Sequence, residues 1–456
     1  MSCDSHGRIR ARRIRVLLAG GPGFRAWLWV GVFLAFFVAF RWGTHLVAID
    51  LILSTNASDF FREFQTDSDD LVIGRLRQSV AAGVFSAGIS LGEGGWYWSQ
   101  LGLGGWALTL LPALLRLPED LAITLMYSAA AGFNALLATA AILMTARVLS
   151  RGAAGLVAIT LLQPWPVAMA KSIYWMIGLK AVPAVALIVL FSSRRDTPWR
   201  MVTVAALSSV IVFLSGYEYL TVVIALQLSV VAYYSLLRGW PMRQTVGSII
   251  GLVLSAVLAL ALALGLHFVQ LMLRMGSPGA ALRGLQEVAT KRTGVTTLEV
   301  EPLLTPSLAS SPWEVLATYL AMPILGAPWN VPFVSGLTVT ILVVVCAFAL
   351  LTGFAHREPS IGSTREQALG LAWVVGLLGP VGWFLVARPH SYIHTHINFA
   401  LWFLPTAPLG MALLWRPLRD GVRGLARDRT TTTWLVLVLT ALVVFFLYSI
   451  GAMRAQ

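Results

Sequence analysis

Asp69 and Asp70 stand side by side in QTDSDDLVIGRLRQ, residues 65 to 78, with Asp67 two positions earlier. Adjacent carboxylates suit a division of labour. One takes the proton from a hydroxyl nucleophile, and the other holds substrate or a divalent cation. We assign Asp69 as the base and Asp70 as its partner, and leave Asp67 outside the pair. The alternative is a solvated acidic loop. A further carboxylate, Glu218 in SGYEYL, lies between two apolar segments. A carboxylate in or near a bilayer is costly and usually faces a cavity or a partner. Glu218 is therefore either a further catalytic acid or a turn residue in interfacial water. Its neighbours Tyr217 and Tyr219 either line a substrate site or belong to an aromatic belt.

The second cluster is RPHSYIHTHIN, residues 388 to 398, with Arg388, His390, His394 and His396. A guanidinium is well shaped for phosphate, and imidazoles can donate to charge that builds on a leaving group. His394 and His396 could instead share the ligand sphere of a metal, although no acid or cysteine is local. The third option is a set of polar residues capping a span. No cofactor follows from these patterns. A divalent cation remains an option, with Asp69 and Asp70 as its ligands if one binds. Lys171 and Lys180, on either side of SIYWMIG, are expected to snorkel to the surface. LRGLQEVATKRTG, residues 282 to 294, is basic enough to contact lipid phosphates but reads rather as an ordinary solvated helix. No Walker motif, dinucleotide-binding glycine fingerprint or HExxH occurs.

The elements that must position these groups follow from composition. Of 456 residues, 57% are hydrophobic and 12% charged, against about 25% charged in a soluble domain. Such a chain cannot cover its surface in water. The expected fold class is an all-α polytopic membrane protein of about eleven transmembrane helices (ten to thirteen). The net charge of +13 comes from arginines in short runs between apolar segments. That is a topogenic pattern, not a nucleic-acid surface, so no nucleic-acid partner is expected. Cys3 and Cys346 lie too far apart in the sequence to suggest a disulfide framework or a zinc site. Seventeen tryptophans suit interfacial belts.

The expected spans are 27–48, 120–146, 153–171, 173–193, 201–216, 218–236, 245–272, 333–354, 367–387, 395–415 and 433–453. Residues 102–116 are apolar but too short to cross, and read as a re-entrant or interfacial helix. Residues 1–26 form a basic leader without a cleavage site. Residues 27–456 form a single transmembrane domain with external loops at about 49–118 and 273–332. With the leader cytoplasmic, every inside loop is arginine-rich, as the positive-inside rule requires. The acidic and histidine clusters then fall on the same outer face of a plasma (inner) membrane. ASDFFREF and VIGRLRQSVAAGVF in the first loop read as amphipathic helices lying in the interface plane.

The stretch DDLVIGRLRQSVAAGVFSAGISLGEG, residues 69 to 94, resembles the first external loop of the GT-C superfamily of membrane glycosyltransferases. Many bacterial members carry paired acids, an apolar position, an arginine, a small helix and glycine-rich turns. Asp69 and Asp70 match the acids, Ile73 the apolar position, Arg75 or Arg77 the basic one, and Gly83, Gly88 and Gly92 the turns. GGWALTLLPALL resembles the membrane-dipping piece that follows. Val72 replaces the usual aromatic, and the arginine is shifted by about one residue. The resemblance covers roughly a tenth of the chain plus the overall topology. It implies a polyprenyl-phosphate-linked sugar as donor and a glycan, lipid or protein acceptor reached from the outer face of the cell envelope, with membrane lipids around it. It also implies an Asp general base, with Arg75 near the substrates; the separate chemistry of Tyr217, Tyr219, Arg388, His390, His394 and His396 makes them the further candidates for substrate contact. A lipid-linked glycan polymerase or ligase would use a similar outer loop. A secondary transporter is the alternative from another class, though transporters tend to show inverted repeats and none is seen here.

Overall fold

The computed structural model describes residues 22–53, 57–64, 67–82, 100–193, 197–293, 305–324, 338–355 and 361–425. Among the described residues nearly all are helical, and the only β-pairing is an isolated bridge between Pro323 and Thr338. In chain order the helices are α1 (Pro22–Trp42), α2 (Thr44–Leu53), α3 (Ala57–Glu63), α4 (Asp67–Ala82), α5 (Leu103–Leu114), α6 (Glu119–Val148), α7 (Arg151–Leu161) and α8 (Pro164–Lys171). A 3₁₀ turn, Ile177–Ala181, leads into α9 (Val182–Ser192), α10 (Pro198–Ser215), α11 (Leu220–Arg238), α12 (Met242–Met275) and α13 (Pro278–Thr293). Then come α14 (Thr305–Ala309), α15 (Pro312–Ala321), α16 (Val339–Ala355), α17 (Ile361–Val386), α18 (Arg388–Ile393), α19 (Thr395–Asn398), a second 3₁₀ turn at Phe399–Phe403, and α20 (Thr406–Leu425).

Five helices are long and apolar enough to cross a membrane: α6, α10, α11, α12 and residues Thr364–Val386 of α17. Two bent pairs raise the number to as many as seven. The chain is thus a helical protein built for several membrane crossings. Local chemistry sets the ends. α6 begins with Glu119 and Asp120 and ends with Arg147, which complements the helix dipole. Ser150 caps α7 by accepting from the Ala153 amide at 3.1 Å. At 34 residues and 1.5 Å rise, α12 is about 51 Å long. It outruns a hydrocarbon core of about 30 Å and carries Arg274 beyond it.

The expected span 27–48 is broken at Gly43, where α1 and α2 bend by 77°. Gly43 has φ +61°, and a Cβ there would meet the Phe61 ring at 2.6 Å. The expected span 153–171 bends by 66° between α7 and α8, where Pro164 and Pro166 cannot continue an α-helix. The expected span 173–193 starts with non-helical backbone and becomes regular only at Val182. Residues 395–403 are short turns with fully buried Phe399, Leu401 and Trp402, rather than the start of a straight span. Residues 333–337 of one expected span, and all of 433–453, lie outside the described residues, as do most of the leader and Gly83, Gly88 and Gly92. At 12 residues α5 is about 18 Å long, short of a crossing. The ASDFFREF piece forms α3 and packs against the protein interior. It turns Phe60 and Phe61 inward, and the Phe60 ring packs on Trp165 at 5.1 Å.

The tightest seam joins α11 to α17. Gly376, Gly379 and Gly382 recur every third residue and face Ser229, Ala225 with Val222, and Thr221. Small residues let backbones approach where both surroundings are apolar. A Cβ on Gly379 would sit 3.0 Å from the Val222 Cα. Thr221 Oγ1 donates to the Gly379 carbonyl at 2.8 Å and ties the two helices together. The seam brings the start of α11 and the end of α17 to one end of the bundle, where the candidate residues lie.

Candidate active site at one end of the bundle

Asp69 sits in the first turn of α4, 6% exposed, whereas Asp70 faces outward and is exposed. The chain between α8 and α9, residues 171–181, passes across Asp69 as a strap. Ser172 Oγ donates to Asp69 Oδ1 at 2.8 Å, and the Tyr174 amide donates to the same oxygen at 3.0 Å. The Tyr127 hydroxyl of α6 reaches Oδ2 at 3.4 Å. The carboxylate thus replaces the helical partners that the broken backbone lacks. On the other side of the strap, Asn134 accepts from the Gly178 amide at 3.0 Å and donates to the Ala170 carbonyl at 3.0 Å. A side chain at Gly178 would collide with Asn134.

Beyond Ser172 the strap carries Trp175, whose amide donates to Ser172 Oγ at 3.2 Å. Trp175 packs on Tyr219 at 5.6 Å and on His390 at 6.4 Å between ring centroids. Trp383 closes the group, 5.2 Å from Tyr219 and 6.0 Å from His390. Tyr219, with φ +65°, is fully buried and donates to Asn398 Oδ1 at 2.8 Å. Asn398 Nδ2 in turn lies 3.1 Å from His390 Nδ1. Tyr219 is therefore a packing and hydrogen-bonding element of the interior, not a member of a surface belt. His390 and His394 rings are 4.7 Å apart. Burial, then the neighbouring His394 and Arg292, push the His390 imidazole well below its ordinary value, so it stays neutral. The side chain of His396 lies outside the described ones. Among the described residues no group of three or more metal-ligating side chains comes together.

Glu218 is 2% exposed and accepts from Arg292 Nη2 of α13 at 2.5 Å. It does not sit in interfacial water, and the helix carrying Arg292 is not simply solvated. Arg292 also lies over the Tyr217 ring at 5.7 Å, and the Tyr217 hydroxyl is 3.3 Å from His267 Nδ1. Lys180 is 4% exposed, donates to the Gly216 carbonyl at 2.8 Å and interacts electrostatically with Glu218. Lys171 turns inward too, to the Phe61 carbonyl at 2.5 Å. Neither lysine snorkels as expected. The strap needs their amines to satisfy carbonyls left open by broken helices.

Arg75 and Arg388, at this end, each donate to a backbone carbonyl and have no carboxylate partner among the described residues. Arg75, 4% exposed, donates from Nη1 to the Gly102 carbonyl at 3.2 Å, at the start of α5, and its Nε has no partner among them. Burial, with the nearby Arg274 charge, pulls its pKa down to about 10. Arg388 donates from Nη2 to the Leu308 carbonyl at 2.7 Å, and its Nε likewise has none. Arg77 points outward and pairs with Glu119 at 2.9 Å, so Arg75 rather than Arg77 is the inward arginine. The candidates read from the sequence, Asp69, Arg75, Glu218, Tyr217, Tyr219, Arg388, His390 and His394, thus belong to one connected end of the bundle. Tyr127, Ser172, Trp175, Lys180, Arg292 and Asn398 join them, although their residue types and spacing did not mark them for such roles. No family model matches the chain, and no curated protein or solved structure matches it either.

Proposed function

We propose that the chain is a membrane glycosyltransferase of GT-C type with about eleven spans. It would move a sugar from a polyprenyl-phosphate donor to an acceptor at the outer face of the plasma membrane, with the N-terminus cytoplasmic. One observation carries the reading. A buried first-loop carboxylate, Asp69, is pinned by the strap at the same end of the bundle as Arg75 and Arg388, two arginines that no carboxylate neutralises among the described residues. Transfer to a hydroxyl needs a base at the acceptor oxygen and donors for the departing phosphate. In this reading Asp69 takes the proton and exposed Asp70 orients the acceptor. Arg75 and Arg388 hold the phosphate, and His390 and His394 donate or accept at the sugar. Glu218, tied to Arg292, holds the site's shape rather than the proton. A divalent cation, if used, would be held by Asp69 and Asp70.

The test is sugar transfer in membranes supplied with a panel of polyprenyl-phosphate sugars. Wild type should transfer at least one sugar, and Asp69→Asn should not. Loss of transfer by neither Asp69→Asn nor Asp70→Asn would remove the enzyme reading. A transporter reading has one observation in its favour, the two bent helix pairs, because broken helices commonly form substrate sites in transporters. Uptake into proteoliposomes without sugar transfer would establish it instead.

A further inference from the structure

A cavity of about 350 Å³ lies inside the bundle on the far side of the strap from Asp69. Its volume is within the range of about 300–1,000 Å³ typical of ligand sites. It runs between α6, α9, α11 and α17. Its roof is Asn134, Ala170 and Gly178, and its other end is reached at Val148, Tyr233 and Tyr234. The lining contains no charged side chain. A water-filled site at this depth would need polar partners for each water. Here the lining offers mainly methyl, methylene and ring carbons.

The mouth has a different chemistry. Tyr234 shares a hydrogen bond with Ser192 at 3.1 Å, and Arg238 lies over its ring at 5.0 Å. Tyr233 interacts electrostatically with Arg365. The same end of the bundle presents Arg147, at the end of α6, and Arg151, at the start of α7, both exposed. Glu366, beside Arg365, is the acid described there. Tyrosine hydroxyls and guanidiniums above an apolar shaft match the profile of a lipid: a charged head at the interface and an alkyl chain below it.

We propose that this cavity binds one acyl chain of an anionic phospholipid, taken from the leaflet at the Arg238 end, with its phosphate at Arg238 and Arg365. The lipid is a resident ligand in the opposite half of the bundle from the Asp69 site. Its chain fills the space under Ala170 and Gly178 and so supports the strap from below.

The test is native mass spectrometry of the full chain after delipidation in detergent, with phosphatidylglycerol, phosphatidylcholine or a polyisoprenyl phosphate added back in separate arms. One phosphatidylglycerol should remain bound under activation that strips the others. Ala138→Phe and Ala184→Phe place a ring in the cavity and should lower its occupancy at least tenfold. Leu136→Phe, on the lipid-facing side of α6, should leave occupancy unchanged, and Arg238→Gln should erase the preference for the anionic head. No retained lipid would overturn the proposal. So would equal retention of phosphatidylcholine, retention of the polyisoprenyl phosphate in its place, or unchanged occupancy in both cavity variants. Because wild-type binding is read without activity, the outcome is separable from that of the glycosyltransferase reading.

Discussion

Arg292 of α13 and Glu218, in the turn between α10 and α11, form a buried ion pair across 74 residues of sequence. Their side chains are 10% and 3% exposed. Taking one partner from such a pair strands the other, at about 3–5 kcal/mol, whereas removing both is far milder. Glu218→Gln and Arg292→Met should each lower the thermal midpoint in detergent markedly, and the double variant should recover much of the loss. Additive losses would show that the two residues act separately.

Asp69 and Asp70 should differ. Asp69→Asn keeps the shape but cannot take a proton, so transfer should fall by about 10²–10⁴ with donor binding largely kept. Ser172→Ala removes a donor to Asp69 Oδ1 and should slow turnover less. Arg75→Ala and Arg388→Ala should weaken donor binding as well as rate. Identical rates for wild type and Asp69→Asn in correctly inserted protein would remove the base assignment.

The α11–α17 seam leaves no room for a side chain at Gly379. Gly379→Leu should push the helices apart and cost more than the about 1–3 kcal/mol typical of overpacking, because the clash is with backbone. Gly247, with open space around it, should accept Ala without loss. Thermal unfolding of the two variants compares them directly.

His390 makes stability depend on pH. Its folded pKa lies below the free value of about 6.5, so between the two the unfolded chain binds more protons. Its contribution is complete above about pH 6.5 and is lost as the pH falls toward the folded value. Unfolding midpoints should drop between pH 7 and pH 5, and His390→Gln should flatten that part of the curve. A slope unchanged in the variant would assign the pH dependence to other groups.

Orientation can be read with cysteines introduced into protein lacking Cys3 and Cys346. Asp120, exposed at the acidic end, should react with an impermeant thiol reagent from outside, and Met242, exposed at the opposite end, should not. Ser79 is 2% exposed and would make a poor probe. Reversed labelling would defeat the outward placement of the site.

Apolar segments made the membrane class and the five long apolar helices legible, because hydropathy reports directly on transfer into lipid. Bends were harder. Pro164 and Pro166 signal one, but Gly43 is an ordinary glycine until Phe61 packs against it. Asp69 and Glu218 stood out because carboxylates are rare in such a chain. Their partners did not: Ser172 lies in a segment that reads as the edge of a span. Nothing in LRGLQEVATKRTG says that Arg292 turns inward while Arg283 stays exposed. The Gly376, Gly379 and Gly382 spacing was visible, and it is the signal that would have paired α17 with a close neighbour.

The strap also implies an order of assembly. Asp69, Tyr127 and Asn134, which hold it, all precede Ser172 and Gly178 in the chain. As the ribosome delivers the strap, its fasteners are already in place, so this unit can close before α11 exists. The bond from Tyr219 to Asn398 has to wait for 179 further residues. Domains emerge and fold from the N-terminal side during synthesis. The acidic side of the site is thus a product of early translation, and the histidine side is the piece added last.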